Sequence, residues 1–362
     1  APEPNPMKTL WKQHLADSGA EYDTAAGSDV VMHYGNPVRE QRVTASGTVF
    51  ADLTHMGVIG AYGADAQSFL QSQLSNDINA LDNGHSQLSS YSTPKGRMLG
   101  LFRIFRTDDS FYLRLPADTL DTVLQRLRMF VLRAEVTLED ASEAFIRIGV
   151  AGRKAAEILT GATGQTMPDE IDAVTHSGDL TILRVPGSQP RFEVYAASMD
   201  AAKSLWDALN VDAAPVGMPA WRLLEILAGL PAVYAGTSEQ FVPQMANLQL
   251  VDGVSFRKGC YPGQEIVARM QYLGTLKRRM YLGRIATDEP VAPGALLFTG
   301  GDGEQSSGRI VDAQPHPDGG LAALAVLQIN AAGAGDLHLG SRDGPAFSLE
   351  PLPYAFEPDG ED

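Results

Sequence analysis

One cysteine, Cys260, occurs in 362 residues. That excludes an intramolecular disulfide and makes a reducing compartment, the cytoplasm, the expected location. A lone thiolate also cannot supply the ligand set of a zinc or iron–sulfur centre within one chain. The histidines at 14, 33, 55, 85, 176, 316 and 338 are scattered without HxH or HxxxH spacing, so no metal site is read. Long apolar runs are missing too. None approaches the ~18 residues of a membrane span, and the N-terminal Ala-Pro-Glu-Pro-Asn-Pro run is polar rather than signal-like. Those first residues are expected to be a flexible lead ahead of Met7. Positive charge is scarce: 28 basic residues face 44 acidic ones, a net charge of −16. This balance opposes direct binding to nucleic acid or to an anionic membrane surface. The local exceptions, Arg126, Arg128 and Arg133 and then Lys277, Arg278 and Arg279, are read as solvated faces.

What is present suffices for a globular protein. Hydrophobic residues make up 44% of the chain, and its length favours two or three domains over one core. An internal echo points to two similar layers. Ile59 to Leu70 and Ile148 to Leu159 share the pattern I-G-x-x-G-x-x-A-x-x-[FI]-L, in which an apolar run meets a glycine turn and passes into helical spacing. After the first unit comes a loop at Leu81 to Gly84, then strands at 99–105 and 111–115. Leu120, Val123, Leu124, Leu127 and Val131 mark a helix over 117–132, giving a βαββα-like block from 55 to 140. A second block, 141–245, holds strands near 145–150, 180–185 and 192–196 and helices near 153–160 and 199–209. From 280 to 362, short apolar runs (280–285, 296–298, 308–311, 321–327) alternate with Gly, Pro and Asp turns, as in a small β-barrel or sandwich.

The densest run of unusual residues is Arg257 to Arg269. Gly259 and Gly263 allow a tight backbone, Pro262 sets a turn or first helical position, and Ile266, Val267 and Met270 continue as a helix. Two readings of Cys260 stay open here. It is a thiolate favoured by a nearby helix N-terminus and by Lys258, or a small buried hydrophobe, as most free cysteines are.

Lys258-Gly-Cys-Tyr-Pro-Gly-Gln-Glu265 resembles the K-G-C-[YF]-x-G-Q-E signature of the folate-binding YgfZ family, relatives of the glycine-cleavage T-protein. Gln240-Phe-Val-Pro-Gln244-Met-Ala-Asn247-Leu-Gln and the closing Glu350-Pro-Leu-Pro-Tyr354 are similar to further segments of that family. So are Asp52-Leu-Thr-His-Met56, Gln73-Leu-Ser-Asn76-Asp77 and Thr93-Pro-Lys95-Gly96-Arg97. The resemblance spans roughly residues 45–355.

The resemblance implies an α+β, three-domain T-protein-like fold around a central folate channel. Its parts would be a discontinuous ferredoxin-like domain (1–54 and 141–245), a second one (55–140), a connecting segment (246–279) and a C-terminal β-barrel (280–362). It implies tetrahydrofolate as cofactor, with Asn76, Lys95, Arg97, Arg191, Gln244, Asn247, Gln264 and Glu265 as its binding residues and Cys260 as a reactive thiol activated by Lys258. The function implied is an accessory role for iron–sulfur client or assembly proteins, acting as a monomer and affecting tRNA modification indirectly. A folate-dependent one-carbon transferase is the alternative, and a binding scaffold with a structural Cys260 is a third reading. Two departures weigh against aminomethyl transfer. T-proteins carry adjacent aspartates where this chain has Met98-Leu99-Gly100, and an apolar side chain cannot accept the amine's hydrogen bond. Their pterin-binding glutamate loop stands here as Gly187-Ser-Gln189-Pro-Arg191-Phe-Glu193, without a secure glutamate counterpart.

Overall fold

The computed structural model describes residues 5–25, 28–300 and 305–357. Residues 1–4 of the expected lead lie outside the described residues. Asn5 and Pro6 do not form a lead: Asn5 accepts a bond from the Met7 amide and caps the helix Pro6–Asp17, with proline at its favoured first position.

Among the described residues the fold is built of two large sheets and a barrel, with a small two-stranded sheet of Glu21–Tyr22 and Val31–His33. One sheet has five antiparallel strands in the order Gln87–Ser92, Met98–Thr107, Ser110–Pro116, Met56–Tyr62, Thr137–Asp140. The helices Ala66–Gln73 and Ala117–Met129 bury Phe69, Leu70, Leu124 and Leu127 against Phe102 and Leu113 of this sheet. It exceeds the expected βαββα block by two strands, Gln87–Ser92 and Thr137–Asp140.

The other sheet has six strands in the order Val174–Ser177, Leu180–Val185, Arg191–Ala196, Ile146–Ala151, Val49–Asp52, Ala214–Val216, the last pair parallel. A strand that precedes the five-stranded sheet in sequence thus lies inside the sheet formed after it. Trp206 of the helix Met199–Asp212 meets Phe50 at 4.6 Å and Trp11 at 5.5 Å, both edge-on, and so joins the N-terminal helix to this core.

The echo corresponds to two real units. Met56–Tyr62 turns at Gly63 into Ala66–Gln73, and Ile146–Ala151 turns at Gly152 into Ala155–Thr163. Each glycine has positive φ (116° and 129°), and a Cβ there would fall 2.3 Å from Glu135 O or 2.5 Å from Gly47 O. Only glycine fits such a turn.

The C-terminal region closes into a six-stranded barrel: Arg278–Ile285, Leu321–Gln328, Gly308–Pro315, Leu296–Thr299, Leu337–Leu339, Ala346–Glu350. The helix Met218–Leu227 packs Leu223 and Ile226 among barrel residues Leu282 and Leu324. The expected fold class, α+β with a terminal β-barrel, is the one observed. Among the described residues no helix is long and apolar enough to cross a membrane.

Candidate functional site

Four segments singled out by their motifs meet at one junction. Gly96 and Gly263 face each other so closely that a Cβ on Gly263 would lie 2.7 Å from Gly96 Cα and 2.6 Å from Thr93 O. The 240–247 segment is stitched to the same place, because Met98 N donates to Phe241 O (2.8 Å) and Glu239 N donates to Met98 O (2.8 Å). Arg97 adds a bond from Nη1 to Gln240 O (3.3 Å).

Lys258 holds the Cys260 loop. Its Nζ donates to Gln71 O (2.7 Å), Leu74 O (2.5 Å) and Asn76 O (2.7 Å), which occupies all three ammonium hydrogens. These acceptors lie at the C-terminal end of Ala66–Gln73, where helical carbonyls lack partners and a cation is favoured. Burial lowers the Lys258 pKa to about 8, with Asp77 acting the other way. The ammonium, expected beside the thiol as its activator, is therefore aimed at backbone carbonyls. What it contributes to Cys260 here is a fixed loop. Cys260 itself is exposed, which removes the reading as a buried hydrophobe. The helix that follows, Gln264–Tyr272, starts after Gly263, and Gln264 Nε2 bonds back to Gly259 O (3.2 Å).

The other expected binding residues are mostly spent on the fold. Asn76 Nδ2 donates to Leu88 O and Asp252 O, both at 2.7 Å. Gln244 donates to Val267 O (2.7 Å), and Asn247 ties Met280 of the barrel to the Tyr354 hydroxyl. Lys95 is exposed, and Glu265 forms an exposed ion pair with Arg269 (3.0 Å). Arg191 is not at this junction.

Arg191 belongs instead to a chain of buried charges between the sheets and the barrel. Its Nη1 lies 3.0 Å from Glu225 Oε1 and its Nε donates to Pro186 O (2.7 Å). Arg114 binds Glu193 with two bonds (2.9 and 2.5 Å), Tyr195 adds a third to the same carboxylate (2.9 Å), and Arg222 binds Asp312 twice (3.0 and 2.5 Å). Bidentate pairs of this kind are the strong form of ionic hydrogen bond. His55 is half-buried nearby with both ring nitrogens shielded from solvent and unpartnered, and that burial, with Arg222 and Arg114, lowers its pKa to about 3. It is neutral near pH 7. Of this group only Arg191 was reached from sequence. The available signal was an arginine in mid-strand among apolar neighbours, as in Phe111-Tyr-Leu-Arg114-Leu115.

Beside this group, Arg191 lines a cavity of about 470 Å³ together with Arg42, Gln189, Leu224, Leu227 and His316. Met98 and Leu99, expected to stand where T-proteins carry aspartates, are buried in apolar clusters.

The family model described as GCVT N-terminal domain matches residues 11–256. The structure of glycine cleavage system aminomethyltransferase T from Bartonella henselae superposes with a TM-score of 0.77 over 94% of this chain and 96% of that one, at 21% identity. These define the class as the T-protein-like fold. Within it, the chain is 30% identical to the tRNA-modifying protein YgfZ of Colwellia psychrerythraea, over 85% of this chain and 93% of that protein. It is 32% identical to that of Sodalis glossinidius (84% and 92% covered) and 31% identical to that of Yersinia pestis (91% and 100%). The chain belongs to the YgfZ family.

Proposed function

We propose that this chain is a reduced-folate-binding accessory factor for the assembly or repair of iron–sulfur proteins. Modification of tRNA, the activity in the name of its relatives, then follows indirectly from such proteins. The observation that carries this reading is Cys260: an exposed thiol on a loop clamped by Lys258 and by the Gly96–Gly263 contact. One thiol cannot own a cluster, but it can occupy one iron position or exchange with a client thiol while the client supplies the rest.

The 470 Å³ cavity is in the range that encloses a cofactor of folate size. Its polar groups fit the chemistry: Gln189 offers an amide to the donor–acceptor edge of a pterin, and Arg42, exposed and without an ion pair to Glu225 such as holds Arg191, offers a guanidinium to a carboxylate. When bound, the folate would supply its reduced ring or a one-carbon unit. Lys95 and Arg97, both exposed beside the Cys260 loop, would meet the client protein. The alternative, a one-carbon transferase, is disfavoured by the apolar Met98 and Leu99, since neither can hold an amine.

Calorimetry with tetrahydrofolate on the native chain and on Arg42→Met, beside an assay with aminomethylated carrier protein, tests the folate half. Saturable binding that Arg42→Met weakens, without turnover, is expected. Turnover at a T-protein rate would replace this reading with the transferase. For the thiol half, Cys260→Ala is expected to leave iron–sulfur enzymes impaired in cells that depend on this protein. Full restoration would remove the thiol from the function.

A further inference from the structure

A second cavity, of about 320 Å³, lies where the N-terminal helix crosses the seam between the two sheets. Its wall is chiefly apolar and aromatic, with Trp11, Leu15, Tyr22, Met56, Phe145 and Ile146. It shares no lining residue with the Arg191 cavity. One charged side chain in that wall is anomalous. Arg147 is only 6% exposed, its Nη1 donates to Met56 O (2.6 Å), and its Nε has no partner. Among the described residues no carboxylate stands within the 4.0 Å of an ion pair. Asp52, also in the wall, spends its oxygens on Trp11 Nε1 (2.9 Å), Thr54 N (3.1 Å) and the Thr54 hydroxyl. The other arginines this deeply buried each have a carboxylate, Arg103 with Asp172 (2.7 Å) and Arg191 with Glu225 (3.0 Å), so Arg147 is the exception among them. Asp52, Asp140 and Glu193 act on it only from beyond the 4.0 Å of an ion pair, and a buried cation without a direct partner is stabilised when an anion completes it.

We propose that this cavity binds a small amphipathic carboxylate, a flat aromatic acid whose anion pairs with Arg147 and whose ring lies among Trp11, Tyr22, Met56 and Phe145. The donors left open on Arg147 serve one carboxylate, which limits the ligand to a monoanion. Lys8 and Lys12 at the mouth are already paired with Asp29 (3.2 and 2.6 Å), and Lys8 also with Glu143 (3.5 Å). A phosphate or dicarboxylate would therefore bring a second charge into an apolar wall with nothing to meet it. Three aromatic side chains and a thioether favour a ring over an alkyl chain. The site is separate from the folate reading and does not depend on it.

The test uses the full chain and two probes of equal shape, 2-naphthoate and the neutral 2-naphthylmethanol, followed by calorimetry. The acid is expected to bind saturably and at least about tenfold more tightly than the alcohol, and Arg147→Met to remove that preference while leaving the alcohol unchanged. Val30→Phe, which fills the cavity from its wall, is expected to abolish binding of both. If Arg147→Met does not fold, as judged by circular dichroism, the acid–alcohol comparison on the native chain and the Val30→Phe variant decide. Equal affinity for acid and alcohol, undiminished acid binding by Arg147→Met, or no saturable binding at millimolar acid would overturn the proposal. Displacement of the acid by tetrahydrofolate would overturn it as a separate site.

Discussion

The helix of the first strand–turn–helix unit, Ala66–Gln73, ends at Leu74 in extended backbone (φ −111°, ψ 159°), and its last carbonyls are taken by Lys258 from far along the chain. The helix of the second, Ala155–Thr163, ends at Gly164 with φ 72°; in both units the terminal amide closes on the carbonyl four residues back, Leu74 N on Leu70 O (3.0 Å) and Gly164 N on Thr160 O (2.8 Å). Both helices start from the same glycine turn, so the difference lies wholly at their ends. The second unit caps itself, as helices ending in a left-handed glycine do. The first leaves in extended backbone with the Gln71 and Leu74 carbonyls presented where the Cys260 loop docks, and Lys258 takes them. A repeated unit has thus become a scaffold in one copy and a receptor for the motif in the other.

The shared start of the two units predicts the largest effect. Gly63→Ala and Gly152→Ala each place a Cβ against backbone at positive φ, and each is expected to cost about 3 kcal/mol or more in urea unfolding. A clear inequality between them would break the equivalence of the units. Next comes Lys258→Met, which leaves three carbonyls without their donor. A loss of about 2 kcal/mol is expected, with faster alkylation of Cys260 as its loop loosens. Unchanged stability would deny that the lysine completes the first unit.

Acid sharpens the contrast further. The partners of Lys258 are carbonyls, which do not titrate, whereas the second sheet is held by Arg191 on Glu225. Burial acts to raise the Glu225 pKa, but Arg191 and Arg114 outweigh it and bring it down to about 2. Because the folded value lies below the ordinary 4.5, this stabilisation is complete above pH 4.5 and is lost as pH falls toward 2. Glu225→Gln is expected to lose that segment of the stability–pH curve, and Lys258→Met to keep it, as read from unfolding midpoints at successive pH values. The smallest effect is Gly164→Ala, at about 1 kcal/mol, with Cys260 alkylation unaffected because this cap touches only its own helix.

Where structure rests on side-chain pattern, the sequence was informative. The barrel strands Arg278–Ile285, Leu296–Thr299, Gly308–Pro315 and Leu321–Gln328 are apolar runs cut by turn residues, and both echo units carry their glycines. Gln87–Ser92 escaped because three of its five buried positions are serines. Ser90 N and Oγ both bond to Ser75 Oγ (2.8 and 2.9 Å), so the strand is satisfied by polar contacts that carry no apolar alternation. The helix Met218–Leu227 and the strand Val49–Asp52 went unread, the latter because its neighbours come from distant sequence. At the candidate site, the motif marked Lys258 and Cys260, yet the partners of Lys258 are backbone oxygens, and any residue type offers one. The carboxylates opposite Arg114, Arg191 and Arg222 were equally silent, since each comes from another element.

The strand Val49–Asp52 has one further consequence. It pairs only with Ile146–Ala151 and Ala214–Val216, both made later, while the intervening five-stranded sheet draws all its strands from 56 to 140. During synthesis from the N-terminus, the inner sheet can assemble while the outer strand is still unpaired, since local contacts form sooner than distant ones. For that interval Val49, Phe50 and Ala51, all fully buried in the finished protein, stand open as an apolar edge. The nascent chain therefore has a defined window for capture by a chaperone, which opens when Asp52 leaves the ribosome and shuts when Ala151 arrives.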